Sequence, residues 1–240
     1  MLKRRLFLLL AVLLPLLGFA QAKSVPYFSQ IGGTSKLDAD WTVYNVNGDE
    51  KTWINCASPS TYSSITAVKV TAGAKYVYNT KADANDWLVS PAIHLEADKE
   101  YKVSFYVKTS GSFKESLRLA VANANTADAM ATKSETLLDF PELTEKTFVK
   151  KSVVYVARES GDYYFGLYEY SKKDLYNVFV TAFSVAENIT TPAPVTGLTA
   201  TEGANEAITV DLKWTLPTKD EDGKDLTTPL TGVEVYRDGT

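Results

Sequence analysis

The turn at residues 45–50 carries side chains suited to metal chemistry. Asn45, Asn47 and Asp49 place oxygen-bearing side chains at alternate positions, and Gly48 permits a tight bend. Calcium binds six to eight oxygens from carboxylates, amides and backbone carbonyls, and short acidic turns with a glycine supply them. We therefore predict calcium as a cofactor, with Asn45, Asn47 and Asp49 as its ligands. The alternative is a plain Asn-Gly turn that joins two strands.

Groups for catalysis are scarce in this chain. Cys56 and His94 are its only cysteine and histidine, so a zinc site of the usual Cys/His type is excluded. We expect a packed or surface thiol at Cys56 and an ordinary strand-end imidazole at His94. The GxSxG, HExxH, Walker and GxGxxG motifs are missing from the sequence, and most acids lie in predicted turns. The sequence therefore predicts no catalytic residues and no enzyme activity.

Tyrosine is abundant, with 14 in the chain. Along residues 163–170 the side chains alternate between two faces, and we place Tyr163, Phe165 and Leu167 in the core. Tyr164, Tyr168 and Tyr170 then form an outward stripe beside Gly166. Such a stripe stacks on sugar rings or anchors a protein partner, so these three tyrosines are the predicted ligand-binding residues. The alternative is that the rings cover a second layer or are simply strand formers.

A strand with faultless period-2 alternation occupies residues 101–107, with Tyr101, Val103, Phe105 and Val107 on one face. This pattern predicts a central strand buried on one side. The preceding segment, 85–95, contains Pro91, which has no amide hydrogen to donate, so we expect the ladder to end there or the segment to lie at a sheet edge, and we interpret it as an edge strand.

Short strands separated by turn residues fill most of the remaining chain, which predicts an all-β sandwich or barrel. Two hairpins are expected, one from 65–70 and 75–78, the other from 101–107 and 117–121. A short helix is expected at 126–132. The other predicted strands are 40–44, 52–54, 136–140, 148–156, 163–170 and 177–185.

Residues 85–107 read NDWLVSPAIHLEADKEYKVSFYV. This stretch resembles the core signature of choice-of-anchor J, or cleaved-adhesin, domains, which are MAM-like jelly-roll sandwiches of secreted bacterial proteins and of the adhesin regions of gingipains. The resemblance runs from about residue 25 to 187. It implies a jelly-roll β-sandwich over residues 23–189 and a non-catalytic binding role.

The same resemblance bears on the calcium prediction. The gingipain domains resemble Asp-x-Asp-Gly-Asp-Gly before the corresponding Trp, so Asn45 and Asn47 take the places of two aspartates and Asp49 keeps the third. Glu50 stands where a glycine is expected. The family's closing strand resembles LDDVxV, whereas residues 180–185 here contain no acid. The implied site is therefore weaker in charge than the family's.

The amino terminus has the pattern of a secretory signal peptide. Residues 1–22 combine a basic start, an apolar run and Ala20-Gln21-Ala22 as a cleavage pattern. The whole chain carries 25 Lys and Arg against 29 Asp and Glu, and removal of three basic residues with this segment changes the net charge from −4 to −7. An acidic chain is poorly matched to nucleic acid. No other segment approaches the length of a membrane span.

A linker rich in proline, residues 190–195, separates a second module. Residues 196–240 resemble the first three strands of a fibronectin type III domain, with Trp214 at that family's core tryptophan. We expect an incomplete immunoglobulin-like β-sandwich, since about half of such a domain would still follow.

Three functions remain open. The first is a secreted or cell-surface module that recognises an extracellular protein or glycan as part of a larger protein. The second is an accessory domain of a secreted peptidase or glycosidase whose catalytic domain lies elsewhere. The third is a purely structural surface protein.

Overall fold

The computed structural model describes residues 21–111, 113–188, 191–203, 210–221, 223, 225–226, 230, 232–233 and 235. The predicted signal peptide therefore lies outside the described residues except for its last two positions. The chain divides into two compact units, residues 1–187 and 188–240, and each is described by itself.

The first unit contains twelve named strands and two short helices among its described residues. The strands are β1 Tyr27–Ser29, β2 Thr42–Asn45, β3 Trp53–Ala57, β4 Ala72–Val77, β5 Asp86–Val89, β6 Ile93–Leu95, β7 Glu100–Ser110, β8 Glu115–Ala122, β9 Glu135–Leu143, β10 Val149–Val156, β11 Gly161–Glu169 and β12 Asn177–Glu187. The helices are α1 Pro59–Tyr62 and α2 Ala127–Thr132.

These strands form two antiparallel sheets. The first sheet has the order β10-β7-β12-β4-β3, and β1 also pairs with β12. The second has the order β2-β5-β11-β8-β9, and β6 also pairs with β11. Because successive strands repeatedly change sheets, the architecture is a jelly-roll β-sandwich, as the sequence predicts.

The core lies between the inward faces of the two sheets. The predicted inward sets of β7 and β11 are all buried, which confirms their period-2 patterns. Phe105, Phe165 and Phe183 are fully buried among them. Each large apolar side chain removed from water contributes about 1.5–3 kcal/mol, so this layer holds the sheets together. The fully buried large side chains include Tyr62, Tyr76, Phe105, Phe165, Phe183, Leu88, Leu117, Leu119 and Met130.

Three sequence predictions about strand pairing are wrong. Residues 101–107 and 117–121 form no hairpin, because β7 pairs with β10 and β12 while β8 belongs to the other sheet. The segment 85–95 is not an edge strand, because β5 lies between β2 and β11. Pro91 instead separates β5 from β6, both of which pair with β11.

The third wrong pairing is the hairpin of 65–70 with 75–78. Strand β4 pairs with β3 and β12, and residues 65–70 form no strand. Ile65 and Val70 are instead buried with Tyr62 of α1 in a small cluster of their own. Residues 65–70 are apolar because Ile65 and Val70 pack against Tyr62. Their composition therefore resembles that of a strand although they pair with none.

The predicted helix at 126–132 is confirmed as α2. Thr126 caps its amino terminus, and its Oγ1 accepts a hydrogen bond from the amide of Ala129 at 3.0 Å. Met130 is fully buried and packs in a cluster with Trp87 and Val89 on the second sheet. Helix α2 therefore covers part of that sheet's outward face.

The second unit contains the antiparallel pair β13 Thr196–Glu202 and β14 Val210–Thr215. Leu198 and Val210 are each 62% exposed, and Trp214 is half-buried. The predicted third strand, 230–236, falls partly outside the described residues, and its described positions form no strand. Among the helices that the structure describes, none is long and apolar enough to cross a membrane.

Candidate binding site

One row of side chains crosses the outward face of the second sheet from edge to edge. The register pairs Tyr44 of β2 with Trp87 of β5, and Trp87 with Tyr168 of β11. It continues from Tyr168 to Arg118 of β8, and from Arg118 to Asp139 of β9. Directly opposed side chains on one face of a sheet contact each other. We call Tyr44, Trp87, Tyr168, Arg118 and Asp139, together with Tyr170, the tyrosine row.

A glycine makes room for the middle of this row. A Cβ atom on Gly166 would lie 2.7 Å from Cε3 of Trp87 and 2.8 Å from Sδ of Met130. The absence of a side chain therefore lets the indole ring lie across β11. Trp87 is only 3% exposed, so it forms the floor of the row and the tyrosines form its surface.

The rings of the row are stacked. Trp87 and Tyr168 have centroids 4.5 Å apart with planes inclined by 21°, and Tyr168 and Tyr170 follow at 5.4 Å and 14°. The guanidinium of Arg118 lies 5.9 Å from the Tyr168 centroid and 5.2 Å from that of Tyr170. Stacked aromatic rings with an adjacent cation form a rigid contact surface.

Polar contacts fix the tips of these side chains. Tyr170 donates its hydroxyl to Asp139 Oδ1 at 2.5 Å, and Arg118 forms an ion pair with Asp139 Oδ2 at 3.2 Å. Burial alone would raise the pKa of Asp139, but these two partners outweigh it and lower the pKa. Burial, reinforced by the Asp139 contact, raises the pKa of Tyr170 to about 12. The phenol thus stays neutral at physiological pH and donates a hydrogen bond to Asp139.

The structure groups two of the three predicted ligand-binding tyrosines. Tyr168 and Tyr170 stack within the row, and Tyr168 also donates its hydroxyl to Asn85 Oδ1 at 3.0 Å. Tyr164 lies four residues back on β11, half-buried against the cluster beneath α2. Tyr164 therefore packs against the same cluster but lies outside the stack.

The predicted calcium residues lie together in the turn between β2 and β3, which belong to opposite sheets. Asn45 Nδ2 donates to the Asp49 carbonyl at 2.5 Å. The Asp49 carboxylate accepts from the Lys51 amide at 2.7 Å and from Asn79 Nδ2 at 2.9 Å. Asn47 Nδ2 donates to Asp49 and to the Asp83 carbonyl. The oxygens of Asn47 and Asp49 thus close the turn through hydrogen bonds.

Some oxygen atoms near this turn have no partner. Asn45 Oδ1 and Asp86 Oδ1 are buried and accept no hydrogen bond. Asn45 and Asp86 are opposed in the β2–β5 register, and a hydrogen bond from the Thr52 hydroxyl favours the ionised form of Asp86. Unpaired buried oxygens are costly, and a hard cation satisfies them. A group of three or more His, Cys, Asp or Glu side chains that could hold a metal is missing among the described residues, so amide and hydroxyl oxygens would have to contribute.

Three carboxyl groups lie inside the sandwich near the same end. Asp86 and Glu169 are opposed in the β5–β11 register and fully buried, and Glu115 is 1% exposed. Burial raises the pKa of all three, for Glu169 well above its ordinary value. Tyr76 donates to Asp86 Oδ2 at 3.3 Å. Because these groups are shielded from solvent, they cannot meet a substrate as an acid–base pair does.

Cys56 and His94 are far apart in the topology, since Cys56 lies on β3 of the first sheet and His94 on β6 beside β11. The exposed imidazole of His94 contacts Asp162 at 2.9 Å, and the thiol is half-buried beside Tyr62. They do not form a nucleophile–base pair.

Known proteins resemble this chain in structure but not in sequence. No protein-family model matches the chain, and no curated protein sequence matches it. Two cleaved adhesin domains of Lys-gingipain from Porphyromonas gingivalis are similar in structure, with TM-scores of 0.52 and 0.50 and identities of 14% and 16%. They cover 68% and 67% of this chain and 99% and 96% of their own. A third cleaved adhesin domain of Lys-gingipain has a TM-score of 0.50 and 14% identity, and covers 68% of this chain and 99% of its own. This likeness establishes the shared jelly-roll fold.

Proposed function

We propose that the first unit is a secreted or cell-surface binding module without catalytic activity, which recognises an extracellular glycan or protein through the tyrosine row. The observation that carries the proposal is the stack of Tyr168 between Trp87 and Tyr170, with Arg118 beside it. Rings held in place before binding lose little conformational freedom when a ligand arrives.

The chemistry of the row suits a ligand with both apolar and polar faces. The half-buried rings of Tyr44, Tyr168 and Tyr170 offer apolar area, while Arg118 and Asp139 offer a donor and an acceptor at one end. Sugar rings stack on such aromatics through their C–H faces, and tyrosine-rich surfaces also anchor proteins. The shielding of Asp86, Glu115 and Glu169 supports binding rather than hydrolysis.

A screen of the purified chain against immobilised glycans and extracellular proteins tests this function. Binding should fall several-fold to about tenfold in Tyr170→Ala, because an aromatic contact contributes about 0.5–1.5 kcal/mol beyond its area burial. Tyr176→Ala is the matched control, since Tyr176 is an exposed tyrosine that lies outside the row. No ligand in either class, or equal loss in both variants, would contradict the proposal.

We further propose that a calcium ion binds at the turn between β2 and β3 and stabilises the domain there. Asn45 and Asp49, predicted from the sequence, would be joined by Asp86, and the unpaired Oδ1 atoms of Asn45 and Asp86 fit the preference of calcium. Asn47 would then order the turn through its hydrogen bonds. When bound, the ion would neutralise carboxylate charge near the turn.

A further inference from the structure

A second row of side chains crosses the outward face of the first sheet, and it has a different chemistry. The register pairs Ile54 of β3 with Lys75 of β4, Lys75 with Phe179 of β12, and Phe179 with Lys108 of β7. Phe148 stands just before β10, where the Lys108 ammonium lies 5.2 Å from its ring centroid. Apolar and cationic side chains therefore alternate across the sheet. We call these five residues the lysine row.

The two ammonium groups share one ring. Lys75 Nζ lies 6.0 Å and Lys108 Nζ 5.0 Å from the centroid of Phe179. Cation–π contacts at these distances hold lysine side chains over a ring without neutralising them. Neither ammonium forms a salt bridge with a carboxylate in the described part of the chain, whereas Lys151 on β10 pairs with Glu145.

The row is also ordered from one side. Phe148 stacks on Tyr62 with centroids 5.2 Å apart and planes inclined by 27°. Tyr62 itself is fully buried beneath the segment that follows α1. The ring that flanks Lys108 is thus positioned by a core residue, which lowers the entropic cost of a contact made there.

We propose that the lysine row binds an acidic polysaccharide. Lys75 and Lys108 lie two strand spacings apart, about 10 Å, which suits a polymer that turns a carboxylate or sulfate to the same side at every second sugar. The apolar faces of its sugars would lie against Ile54, Phe179 and Phe148, and each anion would meet one ammonium. This surface is separate from the tyrosine row because the two rows lie on opposite outward faces.

The charge of the molecule makes this assignment specific. The chain is acidic overall, with a net charge of −4, so general attraction does not draw a polyanion to it. Lys102 and Lys150 also face outward on this sheet but lie outside the row, and the row itself holds two lysines, fewer than the clusters of four to eight that mark binding to anionic lipid. Alternation with aromatic and aliphatic side chains favours a ligand whose charges are separated by flat apolar rings.

Matched polymers provide the probes. The purified chain should bind polygalacturonate but not its methyl ester, or dextran sulfate but not dextran, in titrations at low salt. Raising the salt concentration should weaken binding, because exposed charges are screened. Lys75→Glu and Lys108→Glu should each reduce affinity on the order of tenfold or more, since a hydrogen bond to a charged group contributes about 1.5–3 kcal/mol.

Lys102→Glu is the control variant. Lys102 is exposed on the same strand as Lys108, opposite Val154 and Ala186, and the same charge change there should alter affinity less than about twofold. Lys75→Gln and Lys108→Gln provide the test if the glutamates disturb folding, which thermal melting monitors. The proposal is overturned if neither polyanion binds, if Lys102→Glu weakens binding as much as the row variants, or if anionic vesicles bind and the polysaccharides do not.

Discussion

The indole ring of Trp87 lies across Gly166, so close that a Cβ atom on the glycine would stand 2.7 Å from Cε3 of the ring. This contact links the candidate binding surface to the fold. Gly166 is paired with Val89 of β5 and with Ala120 of β8, so the indole also covers the centre of the second sheet. The floor of the tyrosine row therefore depends on one missing side chain.

Gly166→Ala should destabilise the domain by about 1–3 kcal/mol, because an added methyl group in a packed site forces its neighbours to move. Displacement of Trp87 should also change tryptophan fluorescence and weaken ligand binding. Gly161→Ala on the same strand is the control, since its Cβ would meet nothing within 4 Å. Chemical denaturation of both variants measures the difference, and equal stability would contradict the packing described here.

Glu169→Gln should become more stabilising as the pH rises. Burial raises the folded-state pKa of Glu169. The stabilising contribution of this residue is therefore complete below the pKa of glutamate in the unfolded chain, about 4.3. That contribution is lost as the pH rises through the folded-state pKa, because the folded protein must then bury a charge. The neutral glutamine avoids this loss, and its advantage should reach on the order of 1–3 kcal/mol.

Urea unfolding at pH 4, 6 and 8 measures this divergence. Glu142→Gln serves as the control, because Glu142 is exposed and paired only with Lys114 in the described structure. Its difference from the original protein should stay nearly flat over the same range. A constant difference for Glu169→Gln would show that the carboxyl group titrates normally.

Calcium should raise the melting temperature of the domain relative to chelator. An ion at a hundred times its dissociation constant adds about 2.7 kcal/mol to stability, which a melting curve resolves. Asp49→Ala should abolish the shift, and Asp128→Ala, at an exposed position of helix α2, should keep it. Identical melting curves in calcium and chelator, or a full shift in Asp49→Ala, would remove calcium from this turn.

The first unit should fold without the second. Both six-stranded sheets are built entirely from β1 to β12, whereas β13 and β14 leave Leu198 and Leu212 exposed. Residues 21–188 expressed alone should therefore keep the melting temperature of the full chain, and limited proteolysis should cut near 190–195. A protease-resistant fragment of residues 192–240 would contradict this division.

The sequence predicts strands better than it predicts their partners. Alternation in β7 and β11 reflects whether each side chain meets the core, which is a local property of the strand. Pairing depends on distant segments, so the short turn region between residues 107 and 117 suggests a hairpin although β7 and β8 belong to different sheets. Pro91 likewise indicates an edge, but β5 and β6 both pair with β11 on either side of it.

The candidate site follows the same division. Alternation alone places Tyr168 on the outward face of β11, and Tyr170 on the same side just beyond its end. Trp87, Arg118 and Asp139 join them only through the registers of three further strand pairs, and a shift of one residue would turn each side chain to the other face. The lysine row is hidden from the sequence for the same reason.

Footprinting by hydroxyl radicals tests the central claim most directly. With a ligand from the glycan and protein screen bound, oxidation of Tyr168 and Tyr170 should fall several-fold, while oxidation of Tyr176 and Phe113, which are 40% and 45% exposed, should be unchanged. Protection of the tyrosine row alone is the result that the proposed function predicts. Full oxidation of Tyr168 and Tyr170 in the complex, with protection elsewhere, would contradict it.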